Sequence, residues 1–339
     1  MSHHFIRVFA VVACLVGMPV LAVQAGEDHF TLALPVDCQP GATCWVVNYV
    51  DLKPGPGTLD YNCGDATYDA PPGDQHKGTD FAVRDMAAVR KGVAVFAAAS
   101  GQVIGKRDGM ADISFEGVKD ASVANQECGN GLRIRHDNGL ITQYCHMRQN
   151  SVMANTGDRV ERGQQLGMVG LSGQTVFPHL HFQVERGAEI VDPFAGLDRT
   201  QTCGIGENTL WDAQTLAKLP YQPTAIYNVG FAPGKPDLKA IRDGQYQDQA
   251  FDASSSAMVV WAEFFRIRAG DEIVITITDP EGHQIHNQRI PLKANKARYF
   301  AFSGLRLKTP RWQSGTYRGY VSLIRNNETI TVSRETDVR

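Results

Sequence analysis

The segment Pro178-His179-Leu180-His181-Phe182-Gln183-Val184-Glu185 alternates polar and apolar residues without a break. Side chains alternate across a β-strand, so this pattern describes a strand with one buried face and one polar face. Leu180, Phe182 and Val184 then belong to a core, while His179, His181, Gln183 and Glu185 share the opposite side. Short runs of the same kind, punctuated by Gly and Pro, recur along the chain, and long helical periodicity is absent. They predict strands near 44–50, 78–83, 93–97, 101–106, 131–136, 140–146, 165–169 and 179–185. A mainly β chain is expected.

Two further segments divide in the same way. In His76-Lys77-Gly78-Thr79-Asp80-Phe81-Ala82-Val83, Asp80 lies opposite Thr79, Phe81 and Val83, with His76 at the strand entry. Gly78 lets the backbone turn, or approach another group closely, between two polar residues. Asp137-Asn138-Gly139 is a tight-hairpin signal, because Asn and Gly accept positive φ cheaply. With Asn138 and Gly139 as the turn, His146, Tyr144 and Thr142 are expected beside Arg133 and Arg135. Cys145, Ile141, Leu132 and Ile134 are then expected on the apolar side.

A lone strand histidine is more often a surface or hydrogen-bonded residue than a ligand, and a lone HxxxD is common by chance. The combination here is far more specific: HKGTD at 76–80, YCH at 144–146, and PHLHF at 178–182 after the glycine-rich approach GDRVERGQQLGMVGLSGQTVF. Over about residues 44–195 these segments resemble the lysostaphin-like (LytM-type) zinc metalloendopeptidases, which are peptidoglycan hydrolases. The resemblance implies an antiparallel-sheet lysostaphin-type domain in which His76, Asp80 and His181 hold one Zn2+. It implies His179 and His146 as the residues that assist catalysis.

The residue chemistry suits those roles. Two imidazoles and a carboxylate make a mixed N/O donor set for zinc and leave a fourth tetrahedral position for water. Zinc lowers the pKa of such a water from about 15.7 toward 7 and polarises a carbonyl. The HExxH helix that carries the glutamate base of other zinc proteases is absent, which passes proton transfer to histidine. Sequence does not decide which of His146 and His179 is the base.

Residues 1–25 read as a secretory signal peptide, with Arg7, an apolar run from Val8 to Leu21, and small residues Val23 and Ala25 before the expected cut. An uncleaved anchor, or a lipoprotein box ending at Cys14, is the alternative. Cleavage leaves no membrane attachment and an exported protein of the periplasm or extracellular envelope. The remaining cysteines, Cys38, Cys44, Cys63, Cys128, Cys145 and Cys203, form an even set, as expected for three disulfides. Six cysteines allow about 15 pairings, which sequence leaves open.

A length of 339 residues suggests two domains. Asp192-Pro193-Phe194 and Cys203 close the first, giving a peptidase domain over 26–204 with a disulfide-containing N-terminal loop region, then a linker over 205–224. Short strands from Ala225 onward, with turns at Asp279-Pro280-Glu281-Gly282 and Asn326-Asn327, predict a small immunoglobulin-like β-sandwich over 225–339.

Export, β architecture and motifs together imply peptidoglycan stem or cross-link peptides as substrate, the bond itself being left open. A non-catalytic scaffold or activator of other cell-wall hydrolases on the same fold is the alternative. A formal charge of −3 excludes a generally basic nucleic-acid binder. Locally, nine basic residues and no acidic ones lie between His283 and Asn327, either as an anionic-polymer contact or as the solvated faces of a sandwich. Tyr49, Tyr61 and Tyr68 either line a groove or pack in the loop region. Asn48, Asp65, Asp69 and Asp74 are candidates for a transient fourth metal ligand from an autoinhibitory segment.

Overall fold

Alternating sequence becomes a one-sided sheet wherever a second layer covers its apolar face, and this chain does so twice. The computed structural model describes residues 29–70, 74–115, 125–199, 201–246 and 251–339. The signal-peptide, anchor and lipoprotein readings at residues 1–25 lie outside them.

The first half supplies β1 (Cys44–Asn48), β2 (Asp69–Ala70), β3 (Asp74–Gln75), β4 (Thr79–Val83), α1 (Met86–Lys91), β5 (Ala94–Phe96) and β6 (Gly101–Arg107). It continues with β7 (Asn130–Arg135), β8 (Ile141–Met147), β9 (Arg159–Val160), β10 (Gln165–Met168), β11 (His179–Arg186) and β12 (Glu189–Val191). The main sheet runs in the order β1-β4-β11-β8-β7-β6-β9, with β12 paired to β11 and every neighbour antiparallel. Phe81, Leu180, Phe182, Val184, Leu132 and Ile134 are buried on one face. Each such side chain contributes on the order of 1.5–3 kcal/mol.

Residues 205–224 include α2 (Ala213–Lys218), whose N-cap Asp212 accepts from the Thr215 amide. Just before it, Trp211 packs its ring 5.6 Å from Phe182 and 6.3 Å from Phe81. Three disulfides tie this half together: Cys38–Cys44, Cys63–Cys203 and Cys128–Cys145.

The rest of the chain forms β13 (Ala225–Ala232), α3 (Leu238–Arg242), β14 (Ala257–Ile267), β15 (Glu272–Thr278) and β16 (Gln284–Pro291). It ends in β17 (Lys296–Arg306), β18 (Gly315–Arg325) and β19 (Glu328–Val338). Two antiparallel sheets, β13-β14-β17 and β16-β15-β18-β19, share a core that includes Val260, Phe264, Ile273, Ile275, Ile277, Val321 and Leu323. The result is an immunoglobulin-like β-sandwich. Its fourth strand pairs with the third, whereas constant-type domains place it beside the fifth.

Of the basic residues in this region, Arg289 pairs with Glu272, Arg298 with Glu263, Arg318 with Glu335 and Arg325 with Asp271. Four of the nine basic residues are therefore paired with acidic residues outside the stretch. His283 sits in an exposed turn that Asp279 organises by accepting from the Glu281 and His283 amides. His286 bonds Ser303.

Residues Thr31–Arg339 form one compact unit. Trp45, Val47 and Ala82 of the main sheet meet Ala225, Tyr227 and Phe265 of the sandwich in a shared apolar cluster, with Phe177 against it.

One expectation is corrected. Thr142 and Tyr144 do not share a face with Arg133 and Arg135; they lie opposite Ile134 and Leu132 and are fully buried. The turn consumes one more residue than a two-residue hairpin: the Gly139 amide bonds the His136 carbonyl, and the His136 amide bonds the Leu140 carbonyl. Gly139 alone of the turn's residues takes positive φ, at 85°. A one-residue change of register exchanges the two faces.

Candidate metal centre

Pairing between strands brings the polar residues into one row. Asp80 of β4 lies directly opposite His181 of β11 on one side and Asn48 of β1 on the other. His76 enters from the loop before β4. Its Nδ1 lies 2.7 Å from the Tyr49 carbonyl, which only accepts, so that nitrogen carries the proton and Nε2 faces the row with a free lone pair.

The three groups converge closely. His181 Nδ1 is 2.8 Å from Asp80 Oδ1, His76 Nε2 is 3.1 Å from Asp80 Oδ2, and the two imidazole nitrogens are 3.2 Å apart. His76 and Asp80 are buried, and the His181 side chain is 13% exposed. Ligands about 2.0–2.2 Å from a tetrahedral zinc sit a little over 3 Å from one another, which the 3.2 Å between the two imidazole nitrogens approaches, while each nitrogen faces a different oxygen of Asp80. A backbone carbonyl fixing the far nitrogen, as at His76, is the usual support for a ligating imidazole.

Gly78 explains why the histidine ring fits. A Cβ at that position would lie 2.6 Å from the Phe182 carbonyl oxygen and 2.7 Å from the His181 ring. The glycine therefore serves close approach. Gly78→Ala should displace His181, costing about 1–3 kcal/mol of stability as overpacking does and weakening metal binding. Thermal denaturation with and without zinc checks both effects.

His179 lies on the same strand face as His181. Its Nδ1 is 3.0 Å from the Phe177 carbonyl and 3.2 Å from Thr175 Oγ1, and its Nε2 is 3.4 Å from Asp80 Oδ1. His146 reaches the row by a different device. Cys145 and His146 together face Gly131, a bulge that places His146 at φ 61°, a conformation non-glycine residues seldom adopt. Simple alternation would have put its ring beside Tyr144 in the core. Instead its Nδ1 lies 2.8 Å from the Ser172 carbonyl, its amide bonds the Cys128 carbonyl, and its ring centre is 4.6 Å from that of His179. The Cys128–Cys145 disulfide brackets this bulge. His146, His179 and His181 each offer a ligand atom within 4.8 Å of the others.

Charge states follow from this crowding. Burial would raise the Asp80 carboxyl, but His76, His179 and hydrogen bonds from His179 and His181 outweigh it and hold Asp80 well below the carboxylate range. Burial, and then the neighbouring His179 and His181, push the His146 imidazole well down. Burial lowers His181 too, against the pull of Asp80. His146 and His181 are thus neutral near pH 7, the state in which an imidazole nitrogen can bind a metal or accept a proton.

The row opens into a cleft of about 460 Å³. Tyr68, 45% exposed, lies on one wall with its ring centre 4.5 Å from that of His76. Tyr49 and Tyr61 are instead buried, stacked with Phe194 and Tyr221. The sandwich also lines the cleft, through Phe265, Arg266, Ala297 and Arg298, the last with its guanidinium 5.3 Å from the Phe177 ring centre. Asn48 contacts the row through its amide nitrogen, 2.6 Å from Asp80 Oδ2. Asp65 pairs with Arg268, and Asp69 accepts from the Gly57 amide.

Sequence reasoning missed the carbonyls of Tyr49, Ser172 and Phe177 that set the tautomers, because a backbone oxygen leaves no mark on residue type. It also missed the sandwich's contribution to the cleft.

Comparison with known proteins agrees with the motifs. Residues 74–193 match Peptidase family M23. The chain is 43% identical over 68 residues to the peptidoglycan DD-endopeptidase ShyC of Vibrio cholerae serotype O1, covering 20% of this chain and 15% of that protein. It is 33% identical over 81 residues to the DD-carboxypeptidase/endopeptidase Mpg of Neisseria meningitidis serogroup B, covering 24% and 17%. The chain thus spans less than a fifth of either relative's length. Among solved structures, the lysostaphin catalytic domain from Staphylococcus simulans aligns at 25% identity over 35% of this chain and 76% of that one, with a TM-score of 0.26.

Proposed function

Since residues 74–193 carry an M23 peptidase domain, we propose that this chain is a zinc metalloendopeptidase that hydrolyses peptide bonds in bacterial peptidoglycan. The observation that carries the reading is the convergence of His76 Nε2 and His181 Nδ1, 3.2 Å apart, on the Asp80 carboxylate, whose Oδ2 lies 3.1 Å from the first and whose Oδ1 lies 2.8 Å from the second. We assign these three as ligands of one Zn2+. Zinc held there supplies an acidified water and polarises the scissile carbonyl.

The remaining roles fall to His146 and His179. With its Nδ1 directed at the Ser172 carbonyl, His146 keeps Nε2 for accepting and returning a proton, while His179 Nε2 stands 3.4 Å from Asp80 Oδ1 at the edge of the ligand set. Their rings lie 4.6 Å apart, that of His146 6.0 Å from that of His181, and both line the cleft, where a tetrahedral oxyanion would need a donor. The cleft, bounded by Tyr68, Phe177 and Phe265, suits an extended peptide, consistent with the relatives named as peptidoglycan endopeptidases. The three disulfides favour an oxidising compartment, in keeping with export to the cell envelope.

The test is zinc-dependent clearing of purified sacculi. The protein should solubilise them, lose that ability to 1,10-phenanthroline and recover it on adding zinc. Zinc binding without any hydrolysis would favour the scaffold alternative; no zinc binding would remove both the metal and the enzyme readings.

A further inference from the structure

We propose that Arg266, a residue of the β-sandwich, is a positioning residue for the metal centre, acting on Asp80 through Asn48. This rests on the zinc reading above and extends it to the second half of the chain. Arg266 occurs in β14 at φ 52°, a left-handed conformation unusual for any non-glycine residue and more so within a strand. Its carbonyl is held by Arg325 Nη2 at 2.7 Å, and Arg325 is itself paired with the buried Asp271. Strained, anchored backbone of this kind is what aims a side chain at a fixed target.

The target is the far side of the domain interface. Arg266 Nε donates to the Val47 carbonyl at 2.9 Å, and Nη1 donates to the Asp65 and Thr67 carbonyls at 2.8 and 2.9 Å. The fourth bond runs from Nη2 to Asn48 Oδ1. A guanidinium has donors and no acceptor, so it admits only the oxygen end of the Asn48 amide. The nitrogen end must then face Asp80, where it donates to Oδ2 at 2.6 Å. That carboxylate also lies 3.1 Å from His76 Nε2 and 2.8 Å from His181 Nδ1. Remove Arg266 and the amide is free to rotate; its oxygen would then confront a carboxylate, or leave it unsupported.

The relay explains two otherwise separate facts. Asn48 presents a donor to the site and cannot offer its oxygen to the metal while Arg266 holds it. A sandwich distant in sequence also packs against β1 and β4, the strands that carry Asn48 and Asp80. Groups that orient a metal's ligands typically matter by about 10–100-fold in metal affinity.

The experiment measures zinc affinity by competition with a chromophoric chelator in full-length wild type, Arg266→Ala, Asn48→Leu, the double variant and Arg268→Ala. Arg268 pairs with Asp65 across the same interface, outside the path through Asn48, so it controls for general loosening. Arg266→Ala and Asn48→Leu should each weaken zinc binding by about 10–100-fold. The double variant should be no weaker than the worse single, as members of one path are non-additive. Arg268→Ala should change affinity by less than about threefold, as an exposed ion pair is worth little.

Wild-type affinity in Arg266→Ala would overturn the proposal, as would losses that simply add. If Arg266→Ala does not fold, Asn48→Leu decides: it keeps the three carbonyl bonds of Arg266, and unchanged zinc affinity there would also overturn it. A wild-type protein that binds no zinc would instead defeat the underlying metal reading.

Discussion

Replacing His181 with alanine should abolish zinc binding and peptide hydrolysis while leaving the fold in place. Zinc content measured by mass spectrometry should fall from about one per chain to near zero, since a three-ligand site reduced to two no longer holds the metal. Hydrolysis should drop below detection, because an unactivated water has a pKa near 15.7 rather than about 7. Circular dichroism should be unchanged: β11 keeps its backbone pairing to β4 and β8, and Leu180 and Phe182 still fill the core.

His179→Ala, two residues away on the same face, supplies the contrast. It should retain zinc and lose about 10²–10⁴-fold in rate, the usual worth of general acid–base catalysis. Retained zinc in His181→Ala would contradict the ligand assignment. Lost zinc in His179→Ala would redraw it around His146, His179 and His181.

The second large effect concerns stability. Cys63 and Cys203 are joined across a sequence separation of 140 residues, binding the loop before β2 to the segment after β12. In the loop-entropy account a crosslink of that span contributes roughly 4–5 kcal/mol. Replacing both cysteines with serine should lower the melting temperature by on the order of 10 °C. The Cys38–Cys44 bridge spans six residues, and the logarithmic dependence makes its contribution smaller by about 3 kcal/mol. Comparable melting temperatures for the two double-serine variants in calorimetry would show that loop entropy does not govern these bridges.

Alternation in β11 put His179 and His181 on one face. Grouping His76, Asp80 and His181 rested instead on the resemblance of HKGTD and HLH to the lysostaphin-like family, since His76 lies in the loop before β4 and faces within single strands do not say which strands meet. His146 was found by residue type, yet its route to the row was not. Counting by twos puts it with Tyr144, and Tyr144 is in the core, its hydroxyl accepting from the Ala98 amide. A bulge with φ 61° makes the difference, and nothing in Tyr144-Cys145-His146 announces it.

The β-sandwich was readable from its strand spacing, whereas the disulfide pairing depended on which loops meet in space. The Arg266–Asn48 bond joins residues 218 apart, one in each sheet system. Its only local trace is an arginine in a strand otherwise buried along most of its length.

The most direct measurement is mass analysis of the fragments released from purified sacculi by the zinc-loaded protein. Peptide-bond cleavage products should appear with the glycan backbone intact, and should be missing with His181→Ala or after chelation. Sacculi left uncut by a protein shown to carry zinc, or fragments arising from glycosidic cleavage, would contradict the account.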